Sequence, residues 1–328
     1  MKPFGYQRPV TAEEAVSLGA RPGARYLGGG TNLVDLMKLG VEAPELLVDV
    51  TGLALGNITD TPDGVLVGAT VRNSDLAADP RIRRGYPVLS QALLAGASGQ
   101  LRNMATVAGN LLQRTRCLYF QDVSKACNKR LPGSGCPARV GIHRDLAILG
   151  ASAHCLATHP SDMCVALTAL DAVVEVADQH GVRQIAITDL FPLPADDPAR
   201  ETVLGPGSLI TGVKLPVLPM AVNSRYRKAR DRASYAFATG SVAAALHVAD
   251  GVVADVRIAL GAVAPVPWRA RRAEQALVGQ PAVARSFLGA ADAELAVADV
   301  LPQNGYKVPL LRNLITAVLT ELAEATRR

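Results

Sequence analysis

Aromatic residues are scarce in this chain, at 4% of 328 positions with a single tryptophan. Single-stranded nucleic-acid binding relies on aromatic platforms set among basic residues. The basic clusters at 225–232 and 269–272 follow no nucleic-acid motif, so the net charge of +5 reads as a positive cleft for an anionic cofactor and not as a nucleic-acid surface. No apolar run reaches the roughly 20 residues that a membrane-crossing helix needs. The start, Met1-Lys2-Pro3-Phe4-Gly5-Tyr6, has neither an apolar stretch nor a small-residue cleavage site. The expected location is therefore cytoplasmic, or periplasmic if a signal-bearing partner carries the chain out. Gly-x-Ser-x-Gly is missing, as is any evident Ser-His-Asp or Cys-His set. None of the five cysteines forms a Cys-x-x-Cys pair.

What is present is aliphatic and regular. Hydrophobic residues at 49% against 19% charged suit a well-packed core, and the length suits two or more domains. Thr11-Ala12-Glu13-Glu14 has capping-box spacing and predicts a helix that stops at Gly19. Arg25-Tyr26-Leu27 reads as a short strand, residues 33–39 as a helix and 46–50 as a buried strand. Asp63-Gly64 and Asp250-Gly251 are hairpin signals. Helices are expected over 86–97, 163–170 and 310–325, and strands over 172–177 and 209–215. The proline-rich run at 216–219 marks the expected boundary between a unit at 1–218, itself divided near 55, and a unit at 219–328. Within the first unit, residues 114–157 are too irregular for an ordinary element and too long for an idle loop.

Two glycine-containing loops carry the chemistry. Gly28-Gly29-Gly30-Thr31-Asn32 lies between a strand and a helix, where backbone N–H groups can form an anion-binding concavity. The Thr31 hydroxyl and the Asn32 amide add donors. The pattern is neither Gly-x-Gly-x-x-Gly nor a Walker loop, and a tight turn is the bland alternative. Asn103-Met104-Ala105-Thr106-Val107-Ala108-Gly109-Asn110 repeats that chemistry, and two such loops suggest a ligand with two adjacent phosphates. Thr158-His159-Pro160-Ser161-Asp162 adds a polar turn, with Asp162 placed to accept from ribose hydroxyls or adenine. Lys228 offers a cation for an isoalloxazine carbonyl, with a surface salt bridge as its alternative.

Four cysteines, Cys117, Cys127, Cys136 and Cys155, fall in or beside the irregular segment. Four thiolates suit a cubane iron–sulfur cluster or a tetrahedral zinc, and zinc sites usually show close pairs. Disulfides are the other alternative, disfavoured without a signal. Asn128-Lys129-Arg130 would offset a cluster's negative charge. Cys164, outside the segment, reads as a buried free thiol. His143, His154 and His159 have no metal spacing and read as satisfied histidines, and Arg230 and Asp231 as charge partners only.

Leu27-Gly28-Gly29-Gly30-Thr31-Asn32-Leu33 followed by Gln100-Leu101-Arg102-Asn103-x-Ala105-Thr106-x-x-Gly109-Asn110-Leu111 resembles the FAD-binding medium subunit of the xanthine dehydrogenase, or molybdenum hydroxylase, family. Tyr226-x-Lys228-x-Arg230-x-Arg232-x-Ser234-Tyr235 extends the resemblance over nearly the whole chain. Gly28 departs from the family's more common alanine. The cysteine segment makes the chain most similar to the FAD subunits of bacterial periplasmic-type aldehyde oxidoreductases. The resemblance implies an α+β fold in which two FAD-binding subdomains precede a smaller α+β domain. It implies FAD contacts from Tyr26, Leu27, Gly28, Gly29, Gly30, Thr31, Asn32, Leu33, Thr106, Gly109, Asn110, Ser161, Asp162 and Lys228, and a [4Fe–4S] cluster on Cys117, Cys127, Cys136 and Cys155. A molybdenum-cofactor large subunit, a [2Fe–2S] small subunit and an external electron acceptor complete the implied heterotrimer, which oxidises aldehydes to carboxylic acids. An N-heterocycle hydroxylase subunit, a free-standing flavin oxidase and a metal-stabilised scaffold are the alternatives.

Overall fold

The computed structural model describes residues 1–326 and organises them around three sheets. The first is parallel, with β1 (Gly5–Gln7), β2 (Ala24–Leu27) and β3 (Leu46–Asp49) in the order β1-β3-β2. The helix Ala12–Gly19 crosses between β1 and β2 and buries Ala15, Val16 and Leu18. Thr11 caps it by accepting from the Glu14 N–H at 3.2 Å. The reciprocal bond reaches one residue further out than the motif predicts, from the Val10 N–H to Glu14 Oε2.

The second sheet is antiparallel, in the order β4-β5-β8-β6-β7. It comprises β4 (Ile58–Thr61), β5 (Gly64–Gly68), β6 (Val173–Asp178), β7 (Gly181–Ala186) and β8 (Leu209–Pro216). Asp63-Gly64 lies at the β4–β5 turn, as the hairpin signal requires. Helices Pro87–Ala95 and Asp162–Ala169 supply much of the large central core. Tyr226, Ala243 and Ala259 from the third sheet join that core, so the second and third sheets share buried surface.

The third sheet, β12-β11-β10-β9, is built from β9 (Ser224–Ala229), β10 (Gly240–Ala249), β11 (Val252–Gly261) and β12 (Trp268–Arg269). Asp250-Gly251 closes the β10–β11 hairpin, and both residues take positive φ there. Helices Arg271–Leu277, Ala284–Leu295 and Lys307–Thr326 accompany it. The last buries Leu311, Ile315, Val318, Leu319 and Leu322, the spacing of one apolar stripe. It begins three residues before the expected Leu310, because Pro309 falls in the first turn where its missing N–H is harmless. Lys307 is fully buried there and donates to the carbonyls of Asp145 (2.9 Å) and Ala262 (2.7 Å).

The irregular segment holds one short helix, Leu118–Gln121, and one 3-10 turn, Pro137–Arg139. Ala138, Leu146 and Leu156 give it a small core of its own.

Candidate functional site

The glycine loop leaves the carboxyl end of β2 and enters helix Leu33–Lys38. Of its three glycines only Gly30 takes a positive φ, at 73°. The other two are required by packing. A Cβ on Gly29 would overlap the Met104 carbonyl, and one on Gly28 would lie 2.7 Å from Thr106 Oγ1. The two loops therefore lie directly on each other, which forms one concavity from residues some 75 positions apart. Thr106 is buried and caps helix Val107–Leu111 by accepting from the Gly109 N–H at 3.2 Å.

Asn32 Oδ1 accepts from the Arg114 N–H at 2.8 Å, while Asn32 Nδ2 is buried without a partner. An unpaired buried donor costs about 1–3 kcal/mol, so the loop is incomplete until an acceptor arrives. A diphosphate fits that need. Tyr26 differs from the expectation in one respect, since its hydroxyl is engaged by the Gly207 carbonyl at 2.8 Å. Burial pushes its pKa up to about 12.

From the loops the site continues to Ser161 and Asp162. Ser161 Oγ donates to Asn110 Oδ1 at 2.6 Å and accepts from the Cys164 N–H at 3.0 Å, capping helix Asp162–Ala169. Asp162 and Lys228 are joined to each other at 2.8 Å, with side chains 10% and 3% exposed. The pair is internal, so Lys228 is not held in a surface salt bridge. Tyr226 donates to the second Asp162 oxygen at 2.5 Å, and Lys228 also reaches the Ala95 carbonyl at 3.2 Å. Burial first, then the Asp162 charge, raises the Tyr226 pKa well above its ordinary value. Beside Asp162 opens a cavity of about 300 Å³, with Arg116 and Ser161 on one side and Phe237, Thr239 and Ser241 on the other. That volume is at the lower end of the roughly 300–1,000 Å³ typical of cofactor sites.

Cys117, Cys127, Cys136 and Cys155 face one narrow cavity, although 38 positions separate the first from the last. Cys164 lies elsewhere, fully buried on helix Asp162–Ala169. All five are free thiols, which removes the disulfide alternative. Burial pushes Cys117 up to about 11 and raises Cys155 also. Among the described residues no three His, Cys, Asp or Glu side chains converge closely enough for one metal ion. Four thiols on one cavity are the donor type that an iron–sulfur cluster would take. Of the three polar residues expected to offset charge, Asn128 and Lys129 line the cavity, and Lys129 is already paired with Glu201. Asn128 accepts from the Gly135 N–H (2.7 Å) and donates to the His154 carbonyl (3.0 Å). Arg130 instead pins the loop through the carbonyls of Tyr119 (2.7 Å) and Phe120 (2.6 Å).

A charge chain connects the two regions. Lys129 Nζ lies 3.0 Å from Glu201, Glu201 lies 2.5 Å from Arg114 Nε, and Arg114 also pairs with Glu42. Arg114 is the residue whose N–H holds Asn32, so the cysteine segment is tied to the glycine loop. Glu42, Arg114 and Glu201 escape sequence reasoning because nothing in their spacing announces contact. Burial alone would raise the Glu201 pKa, but Lys129 and Arg114 hold it below the ordinary carboxylate value. A depressed folded-state pKa gives stability that is present above the unfolded value and lost as pH falls through the folded one. Glu201→Gln should cost about 1–3 kcal/mol at neutral pH, since Glu201 is a quarter exposed and Lys129 nearly buried. Thermal unfolding should show the wild-type advantage shrinking below about pH 4; an equal midpoint at pH 7 would refute the chain's importance.

His143 is satisfied as expected, Nδ1 lying 3.1 Å from the Ala138 carbonyl and Nε2 accepting from the Gln303 N–H at 3.1 Å. His159 is held neutral, its pKa lowered to about 4 by burial. Asp231 pairs with Arg144, whereas Arg230 bonds the Ala95 carbonyl.

The chain is similar to known proteins over nearly its whole length. Residues 2–218 match the family described as FAD binding domain in molybdopterin dehydrogenase, and residues 224–322 match the CO dehydrogenase flavoprotein C-terminal domain. The chain is 52% identical over 324 residues to the aldehyde oxidoreductase FAD-binding subunit PaoB of Escherichia coli strain K12, covering 98% of each. It is 26% identical to the glyceraldehyde dehydrogenase medium chain of Sulfolobus acidocaldarius, over 84% of this chain and 82% of that one. Among solved structures, quinoline 2-oxidoreductase from Pseudomonas putida 86 shares the fold with a TM-score of 0.76 at 23% identity, covering 99% of each chain.

Proposed function

The chain belongs to the FAD-binding medium subunits of the molybdenum hydroxylases, and from that premise we propose that it is the flavin-bearing electron-transfer subunit of an aldehyde-oxidising heterotrimer. It is an oxidoreductase component that binds FAD, and its family is that of molybdopterin dehydrogenases. The carrying observation is the joined pair of glycine loops with its orphaned Asn32 donor, in a chain half identical to an aldehyde oxidoreductase subunit over its full length.

FAD supplies the electron-accepting chemistry when bound, and the protein supplies position and electrostatics. Backbone N–H groups of residues 28–32, with Thr106, Gly109 and Asn110, would hold the diphosphate. Ser161, Asp162 and Lys228 would border the ring end, with residues 1–218 gripping the cofactor and residues 219–328 covering it. Substrate chemistry would take place on the molybdenum subunit. A [2Fe–2S] subunit would deliver electrons, and an external acceptor would remove them. Cys117, Cys127, Cys136 and Cys155 would hold a [4Fe–4S] cluster, since they gather at one cavity with the Lys129 cation beside them. A signal-bearing partner would carry the assembly to the periplasm, which fractionation of the expressing cells tests.

The 52% relative favours aldehydes over N-heterocycles, for which the nicotine 6-hydroxylase medium subunit of Paenarthrobacter nicotinovorans is only 24% identical. The test is turnover by the purified complex. Aldehydes should exceed purines and quinolines at least tenfold in kcat/KM, and the isolated chain should show flavin absorption without turnover. A colourless chain, or a complex preferring heterocycles, would sink the reading.

A further inference from the structure

The cavity beside Asp162 has four acids on or near its wall, and a cation among them would normally be engaged by one. Asp162 is paired with Lys228 at 2.8 Å. Asp145 and Asp231 are both paired with Arg144, each at 2.9 Å. Asp35 is off the wall and exposed, on the helix that follows the glycine loop; it makes no ion pair among the described residues, and its charge acts on Arg116 only at longer range. Arg116 stands out against this arrangement. Its guanidinium lies 5.0 Å from the Phe237 ring centre, across the boundary between the two structural units. Its Nη1 is buried without a partner, and among the described residues the side chain makes no hydrogen bond or ion pair. A guanidinium cannot lose its charge to relieve this, so the site keeps a positive charge with donors free. Phe237 orients it by cation–π attraction, worth about 0.5–2 kcal/mol.

Resting on the flavin reading, we propose that Arg116 is a potential-tuning residue, the cation that this cavity holds ready for the negative charge a flavin ring takes up on reduction. Lys228 is less suited, because Asp162 already compensates it. A fixed positive charge with unpaired donors beside a cavity favours the more negative state of whatever occupies it. The same charge should favour addition of sulfite at the ring, where the sulfur lone pair forms a bond to N5 and the displaced electron pair stays on the ring as negative charge. Arg116 also precedes Cys117, which lines both this cavity and the cysteine cavity.

The experiment uses the purified complex with Arg116→Gln and Arg116→Lys, each saturated with added FAD. Two quantities are read: the midpoint potential of the bound flavin, and the Kd for sulfite followed by bleaching of the flavin band. Arg116→Gln should weaken sulfite at least tenfold and lower the two-electron potential by about 30 mV for each tenfold change in the preference for reduced flavin. Arg116→Lys should recover most of both. Unchanged potential and sulfite affinity in Arg116→Gln would overturn the assignment, as would equal losses in both variants. Absence of flavin from the wild-type chain would instead overturn the flavin reading itself, so the two failures are distinguishable.

Discussion

Gly29→Val should yield a folded protein that has lost FAD, with its dissociation constant raised on the order of a hundredfold or more. The basis is not the ligand's approach to a bare backbone. The Gly29 Cβ position is occupied by the Met104 carbonyl, which is backbone and cannot rotate away. Any side chain at 29 must therefore part the first loop from the second. Parting them misaims donors on both sides of the proposed diphosphate. Hydrogen bonds to a charged group contribute about 1.5–3 kcal/mol each, so losing two gives at least a hundredfold. Gly29→Ala carries the same Cβ and should lose flavin too. Gly28→Ala should be milder, because it meets only the Thr106 hydroxyl, which can turn at the expense of the helix cap. Flavin absorbance per protein and fluorescence titration with FAD measure all three. Full FAD retention by Gly29→Val, with normal circular dichroism, would refute the loop assignment.

Those loops also show which parts of the site a single sequence can disclose. Local signals were legible. The Thr11 cap, both Asp-Gly hairpins and the strand–glycine–helix order depend on neighbours within a few residues, and each element appears where its residues place it. Strand β9 was hidden, because Arg225, Arg227 and Lys228 mask an alternation in which Ser224, Tyr226 and the Lys228 side chain itself face inward. Contacts over long separations were hidden too. Nothing about Glu42, Arg114 and Glu201 predicts that they meet. Lys228 and Asp162 were each recognised, but their mutual bond depends on β9 packing against the central core. Arg116 passed unremarked because its meaning is a missing partner, which only three-dimensional placement can reveal.

Cysteine exchange gives the second large effect. Cys127→Ser should remove this subunit's share of the iron from the purified complex, leaving that of the [2Fe–2S] subunit, whereas Cys164→Ser should leave all of it intact. Cys127 faces the cavity it shares with Cys117, Cys136 and Cys155, and its N–H is held by Ser134 Oγ at 3.0 Å. A serine there keeps the loop's hydrogen bonds but offers a hard oxygen where a cluster requires a soft thiolate. Cys164 sits on helix Asp162–Ala169 among the central core residues, and burial drives its pKa to about 12. It has no route to the cavity without unwinding that helix, so its replacement should act on packing alone. The charge chain adds a second readout. Lys129 borders the cysteines, and Arg114 at the far end of the chain holds Asn32 in the glycine loop. Emptying the cysteine cavity should therefore loosen FAD as well as iron, with a several-fold rise in the FAD dissociation constant for Cys127→Ser and none for Cys164→Ser. Equal iron loss in both variants would overturn the ligand set. Iron loss with unchanged FAD affinity would leave the ligands standing and show that the charge chain transmits nothing between the two cavities.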